Sequence, residues 1–439
     1  MAKKQAIHSQ KDLELVQDHY LDYPYPMRNP EDEKQRLLGI HGERLEELNH
    51  FLFQGKETFN DNFRVLVAGG GTGDCSTYMG EQLKNNNAEV VYLDFSTTSL
   101  NIAKARAEAR GLRNIKFINE SIFNIPKLNL GKFDYINCSG VLHHLSSPDE
   151  GLAILKNCLK PSGGMGLMVY AKYGRTAIYQ VQDLMKIINE DASSRQKEVE
   201  NAKIILNSMP PTNWYMRSRD LIQDVENYGD IGIYDLFLHK QDRCYSIPEL
   251  YEFIEKPGLN FVEFMEIRPR MKLKIENYIK DQDLLAHIKR LPLAKQQAIA
   301  EIITGDVIKH TIYLSNITNS VASCFEEDNI PFFHEITNLS TNIKDYLQNN
   351  QTPPGVIFNF NFKKSWIPDG VSVNIMITKF TLSFFEAIGE GNEKTIGEII
   401  DEIHLKHPES TRAEILADIK VIMDIFIECS LLLLRRKQL

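Results

Sequence analysis

An α/β protein with a doubly wound, mostly parallel seven-stranded sheet is what this 439-residue sequence predicts. Two observations carry that expectation. The apolar run Val65 to Ala68 breaks abruptly into Gly69, Gly70, Gly71 and Gly73, and a second apolar run, Val90 to Leu93, ends on Asp94. Short apolar runs then keep alternating with helical stretches as far as Tyr170, and repeated βα units of this length imply a parallel sheet.

The first unit also indicates a ligand. Strand, glycine turn, helix, strand and acid is the layout of a nucleoside-binding βαβ unit. The glycines follow G-x-G-x-G at 69, 71 and 73, whereas a dinucleotide fingerprint would need a third glycine where Asp74 or Ser76 stands. A carboxylate at Asp74, beside a helix N-terminus, would repel a pyrophosphate. A nucleoside without phosphate and with a positive charge suits the acidic turn, and S-adenosylmethionine meets both conditions. Asp94 is placed to accept hydrogen bonds from ribose hydroxyls. A tight turn that binds nothing is the plain alternative.

The remaining elements follow in order. Residues 11 to 55 read as helices broken at Tyr23-Pro24-Tyr25-Pro26. Thr77 to Asn85 and Thr98 to Arg110 are the first two helices of the α/β part. Ile115 to Asn119 and Phe133 to Cys138 are the third and fourth strands. Glu150 to Leu159 is helical, Lys160 to Gly164 a turn, and Met165 to Tyr170 the fifth strand. Helices dominate 172 to 258, a cap or substrate insertion, and Asn260 to Ile267 and His310 to Ser315 complete the sheet around a second helical insertion at 275 to 303. The expected division is an N-terminal lid segment 1–60, an α/β domain 61–315, a connector 316–375 and a C-terminal module 376–439.

Composition narrows the partners. Lys plus Arg number 50 against 59 Asp plus Glu, giving a net charge of −9 that argues against non-specific nucleic-acid or anionic-membrane binding. The six scattered cysteines form no C-x-x-C pair, so no metal site is expected and a reducing compartment is. The N-terminus lacks a signal-like apolar region, and Val421 to Leu434 is too short to span a bilayer, so a soluble, cytoplasmic protein is expected.

The sequence resembles the class I S-adenosylmethionine-dependent methyltransferases. The similarity rests on Val65 to Gly73, Tyr92-Leu93-Asp94-Phe95-Ser96, Phe133-Asp134-Tyr135-Ile136, Gly140 to Leu145 and Leu159 to Gly164, in the family's order over about residues 60 to 172. The resemblance implies that Gly69, Gly70, Gly71 and Gly73 line the methionine and ribose part of the cofactor. Asp94 would hold the ribose, Phe95 would flank the adenine, and Ser121 with Ile122 would stand where many members contact the adenine amine with an Asp. Cys138 and Ser139 would face the methionine end. The sequence departs from the family at Val67, usually acidic, and at Ser121, which makes Asp74 a candidate partner for the methionine amine. Tyr20 to Pro26 and Asp235 to Arg243 resemble a bacterial subgroup with a long substrate-side insertion, itself loosely similar to protein-lysine methyltransferases.

Methyl transfer needs aligned, desolvated reactants, and a base only if the acceptor arrives protonated. His143, His144 and Tyr170 are the candidate catalytic residues, with packing as the alternative for each. Tyr23, Tyr25, Tyr173, His239 and Arg243 are candidates for contacting the acceptor, with surface packing or loop salt bridges as the alternative. The C-terminal module has three amphipathic helices and a short strand, Ser430 to Arg435, a winged-helix-like pattern. Its presumed recognition helix, Glu409 to Glu428, holds five acids and two bases, so a dimerisation or docking role is expected and DNA binding is not. The expected function is methyl transfer to an unidentified acceptor, with a protein lysine the first choice. The alternatives are a small-molecule acceptor and a non-catalytic binding or assembly protein.

Overall fold

The computed structural model describes residues 25–39, 42–239, 241–334, 339–364, 367–389 and 391–437. They form two compact units, one within residues 1–44 and 58–318 and the other within 45–57 and 319–439. Tyr23 and residues 11–24 of the expected N-terminal helices lie outside the described residues.

The first unit is built on one sheet. Its strands are β1 (Phe63–Ala68), β2 (Ala88–Asp94), β3 (Ile115–Asn119), β4 (Phe133–Ser139), β5 (Leu159–Ala171), β6 (Cys244–Tyr245), β7 (Asn260–Phe264) and β8 (Lys309–Ser315). The order is β3-β2-β1-β4-β5-β8-β7, with β6 paired to β5. Leu66 pairs with Val91 on one side and Ile136 on the other, both in parallel, while β8 runs antiparallel to β5 and β7. Strands buried on both faces read as continuous apolar runs, which is why Val65 to Ala68 and Val90 to Leu93 announce themselves so clearly.

The chain runs outward from β1 to β3 and then crosses to β4, so the strand order reverses between β1 and β4. Ligands of open α/β sheets bind outside the carboxyl ends of strands at such a point. Leu66, Val91, Ile136 and Leu167 pack with Leu152 and Leu155 of helix Pro148–Cys158 in the main core. Helices Thr176–Ile188, Arg195–Ser208, Trp214–Ser218, Asp224–Tyr228 and Asp230–Phe237 build the cap around a separate core that includes Ile178, Val199, Tyr215 and Phe237. Lys160 to Gly164, expected as a turn, instead belongs to β5. A register irregularity between Phe133 and Tyr135 takes up the extra residues, so the strand continues through them.

The second unit has its own core, in which Phe384, Ile399, Ile403, Ile415, Ile419 and Phe426 are fully buried. Strand β9 (Asn329–Phe333) pairs antiparallel with β12 (Leu432–Arg436), and β10 (Ile357–Lys364) pairs with β11 (Ile367–Met376). Residues 316–375, expected as a connector, therefore contain three strands and helix Leu339–Asn349. Short strands whose partners are distant in sequence leave little local signal. Helices Ile396–Lys406 and Arg412–Glu428 both begin with capping boxes, Thr395 with Glu398 and Thr411 with Glu414. The same unit takes in helix Leu45–Leu52, where His50 Nδ1 accepts the Leu434 amide at 3.1 Å.

Candidate functional site

The carboxyl ends of β2, β1, β4 and β5 open onto a cavity of ≈ 320 Å³, in the size range of small-molecule sites. Its floor is the turn after β1. Gly69 has φ +75°, and a Cβ there would lie 2.4 Å from Val141 Cγ2. Gly73 has φ +95° and lets helix Asp74–Leu83 approach Ala103, whose Cβ would be only 2.7 Å from an added Cβ. Gly69, Gly70 and Gly71 line the cavity directly, and Gly73 shapes the turn.

Asp94 ends β2 facing this turn and is 7% exposed. Its carboxylate accepts the Gly71 amide at 2.8 Å through one oxygen and the Ser96 amide at 2.8 Å through the other. Burial raises its pKa, and these two bonds work against the rise. A carboxylate offers about four acceptor positions, so each oxygen keeps one for a ligand. Phe95, Ser121 and Ile122 line the same end, and the Ser121 hydroxyl accepts the Phe123 amide at 3.3 Å.

Further along lie Asn137 and Ser139 of β4, then Met168 and Tyr170 of β5. Asn137 Nδ2 and Ser139 Oγ are buried and have no hydrogen-bond partner among the described residues. Buried polar groups are normally satisfied, so two such atoms lining one cavity mark a place where a ligand completes them. Cys138, between them, points into the core and is 0% exposed; burial pushes its thiol up to about 12. It does not face the methionine end as expected, because alternate residues of a strand face opposite sides of the sheet.

One wall comes from the N-terminal segment. Tyr25, Pro26 and Arg28 line the cavity, and Thr72 Oγ1 donates to the Pro26 carbonyl at 2.7 Å. Arg28 grips Asp74 with two nitrogens, Nε at 2.9 Å from Oδ1 and Nη2 at 2.7 Å from Oδ2. The fully buried Arg106 adds Nη1 at 2.6 Å from Asp74 Oδ1. Burial alone would raise the Asp74 pKa, but the two guanidiniums overcome it and the pKa is lowered. Asp74 is therefore already neutralised from two sides, and the expected role as ammonium partner gives way to one of anchoring the N-terminal segment.

The candidate catalytic residues separate. His143 is 0% exposed, has no hydrogen-bond partner on either ring nitrogen among the described residues and does not line the cavity; burial holds its pKa well below the usual value. It packs against Tyr170, with ring centroids 3.9 Å apart, so its contribution is packing. His144 does line the cavity. Its Nδ1 lies 2.9 Å from the Gln241 carbonyl, which can only accept, so the proton sits on Nδ1. Burial lowers its pKa as well. Tyr170 faces the cavity, with the Arg175 guanidinium 3.5 Å from its ring centroid.

Among the acceptor candidates, Tyr25 reaches the cavity, while Tyr173, His239 and Arg243 do not. His239 stacks on His144 at 3.9 Å and supports it from behind. Arg243 lies 3.4 Å from Asp149 and over the Tyr245 ring, a loop salt bridge at the surface. Sequence reasoning gave no role to Arg28, Asn137, Tyr228, Asp235 or Gln241, all of which line the cavity. Asp235 and Gln241 sit in the stretch Asp235 to Arg243 that drew notice as a motif, but nothing local says which of its side chains turn inward.

A family model described as a methyltransferase domain matches residues 59–239. Residues 59–239 are a class I, S-adenosylmethionine-dependent methyltransferase domain. The methyltransferase fold is also that of PKMT2 from Rickettsia typhi in complex with AdoHcy, with a TM-score of 0.60 at 18% identity over 90% of this chain and 75% of that one. An uncharacterized protein of Synechococcus is 34% identical over 46% of this chain and 48% of its own length. The tRNA 5-carboxymethoxyuridine methyltransferase of Escherichia coli is 32% identical over 25% of this chain and 41% of its own length. The chain thus spans about half or less of these two curated relatives.

S-adenosylmethionine is the cofactor of this domain class, and the residues present fit it. Asp94 has acceptor positions free for the ribose, Phe95 and Ile122 offer apolar contact for the adenine, and Asn137 and Ser139 hold unmatched polar atoms. Among the described residues no cluster of His, Cys, Asp and Glu suits a metal, and no helix is long and apolar enough to cross a membrane.

Proposed function

We propose that this protein transfers a methyl group from S-adenosylmethionine to an acceptor seated over the ends of β4 and β5, and that the acceptor is a protein side chain, a lysine amine first among the choices. The observation that carries the reading is the Asp94 carboxylate, half satisfied by the Gly71 and Ser96 amides and facing a glycine-floored cavity that continues to Tyr170. Neighbouring strands are about 4.8 Å apart, so the three steps from β2 to β5 span about 14 Å, room for a nucleoside and then an acceptor group.

When bound, the cofactor supplies an electrophilic methyl group on a positively charged sulfur. The chain's own residues align and desolvate the partners. Asp94 fixes the ribose, and Asn137 and Ser139 hold the polar methionine end. Tyr25, Pro26 and Tyr228 close the wall against water, and Met168 and Tyr170 frame the acceptor end. The helical cap and the second unit support an acceptor larger than a metabolite. The second unit would serve as a dimerisation or docking element, in keeping with the acidic helix Arg412–Glu428. A small-molecule acceptor is the second reading, favoured by the closure of the cavity under Tyr25 and Tyr228.

Calorimetry with S-adenosylmethionine tests the cofactor half, and no binding by the wild type would leave a non-catalytic role. Labelled-methyl transfer to fractionated cell lysate tests the acceptor half. Label in a protein band, lost on heating the enzyme, is expected; label only in small molecules would move the assignment to the second reading.

A further inference from the structure

The acceptor end of the cavity contains a carboxylate that forms no hydrogen bond or ion pair among the described residues. Asp235, on helix Asp230–Phe237, lines the cavity and is 7% exposed. Among the described residues no hydrogen bond or ion pair reaches its carboxylate, in contrast to Asp74 and Asp94 in the same cavity. Asp224 stands close enough to repel it and is itself held by the Tyr25 hydroxyl at 2.7 Å. The charges of Asp224, Arg175 and Asp242 act on Asp235, which in turn acts on Tyr25 and Tyr170, and Arg28, His144, Tyr228 and Gln241 line the same cavity. Arg175 is the cation whose charge acts on it, but it is stacked on Tyr170 and lies 3.5 Å from Asp242. A buried carboxylate that stays charged needs a cation, and three aromatic rings, Tyr25, Tyr170 and Tyr228, stand ready to favour one.

We propose that Asp235 is the proton acceptor of the reaction: it binds the acceptor as a primary ammonium and takes its proton. The N–H bond breaks, an O–H bond forms on the carboxyl group, and the electron pair stays on nitrogen, where an in-line displacement needs it. This rests on the methyltransferase reading above. Burial and the Asp224 charge raise the Asp235 pKa to about 7, which suits a group that must accept and return a proton near neutrality. His144, whose pKa burial lowers, is the poorer base.

The test uses full-length protein saturated with S-adenosylhomocysteine and n-butylamine as the amine probe, with Asp235→Asn as the variant of the same shape. Calorimetry is expected to show S-adenosylhomocysteine binding within twofold of wild type and butylamine binding at least tenfold weaker. Equal butylamine binding in both proteins, or none in the wild type, overturns the proposal. A tenfold loss of S-adenosylhomocysteine binding in the variant also overturns it, and gives Asp235 to the methionine ammonium. A wild type that fails to bind S-adenosylhomocysteine sinks the methyltransferase reading itself. In wild-type protein with labelled aspartate, one carboxyl carbon should titrate near pH 7 and shift on adding butylamine; its absence counts against the proposal even if the variant does not fold.

Discussion

The Tyr25 hydroxyl donates a 2.7 Å hydrogen bond to Asp224 across 199 positions of sequence. It ties the N-terminal segment to the cap directly over the cavity, and the Tyr25 ring meets Tyr228 edge-on at 5.3 Å. Tyr25→Phe keeps the ring contact and removes only the donor. A loss of about 1–2 kcal/mol is expected, typical of a partly exposed bond to a charged acceptor. Chemical denaturation of the two proteins checks it, and an unchanged midpoint would show that the bond contributes nothing.

Asp94→Asn fits the same space but can accept only one of the Gly71 and Ser96 amides, and it weakens the acceptor set proposed for the ribose. Losing charge-assisted bonds of about 1.5–3 kcal/mol corresponds to roughly 10- to 100-fold in affinity. Calorimetry with S-adenosylhomocysteine measures it. Affinity within twofold of wild type would remove the ribose from this acid.

Arg106 is fully buried between two carboxylates, with Nε 2.7 Å from Glu33 and Nη1 2.6 Å from Asp74. Arg106→Met leaves both acids buried with one cation fewer each, and breaking such a network costs about 3–5 kcal/mol. A fall in thermal midpoint is expected, largest at neutral pH. Because the Asp74 pKa is lowered in the fold, its contribution is present above the unfolded value of 3.8 and disappears as pH falls through the folded value. The difference between wild type and variant should therefore shrink in acid.

Asp235 works in the opposite sense. Its folded pKa, raised to about 7 from 3.8, means that the folded protein binds a proton that the unfolded chain has released. Stability falls as pH rises from 4 to 7, by about 4 kcal/mol at most from this group. Asp235→Asn should flatten that slope and raise the midpoint above pH 7. Denaturation at several pH values decides it, and parallel curves for the two proteins would contradict the placement.

The C-terminal unit should not bind DNA in a salt-dependent way, since its long helix Arg412–Glu428 carries Glu414, Asp418, Asp424 and Glu428 against Arg412 and Lys420. An electrophoretic mobility shift at moderate salt that disappears at high salt would contradict this.

The sequence by itself determined the sheet and the glycine-floored end of the cavity. Val65 to Ala68, the glycines and Asp94 are consecutive or nearly so, and strand burial and turn geometry are local properties that write themselves into composition. Tertiary structure alone decided the rest. Local pattern could not say that Arg28 would occupy Asp74, that His143 would turn away while His144 stayed, or that residues 45–57 would join a unit made mostly of 319–439. Those outcomes depend on which distant side chains meet, and a buried charge takes its role from the partner it finds or, in the case of Asp235, does not find among the described residues.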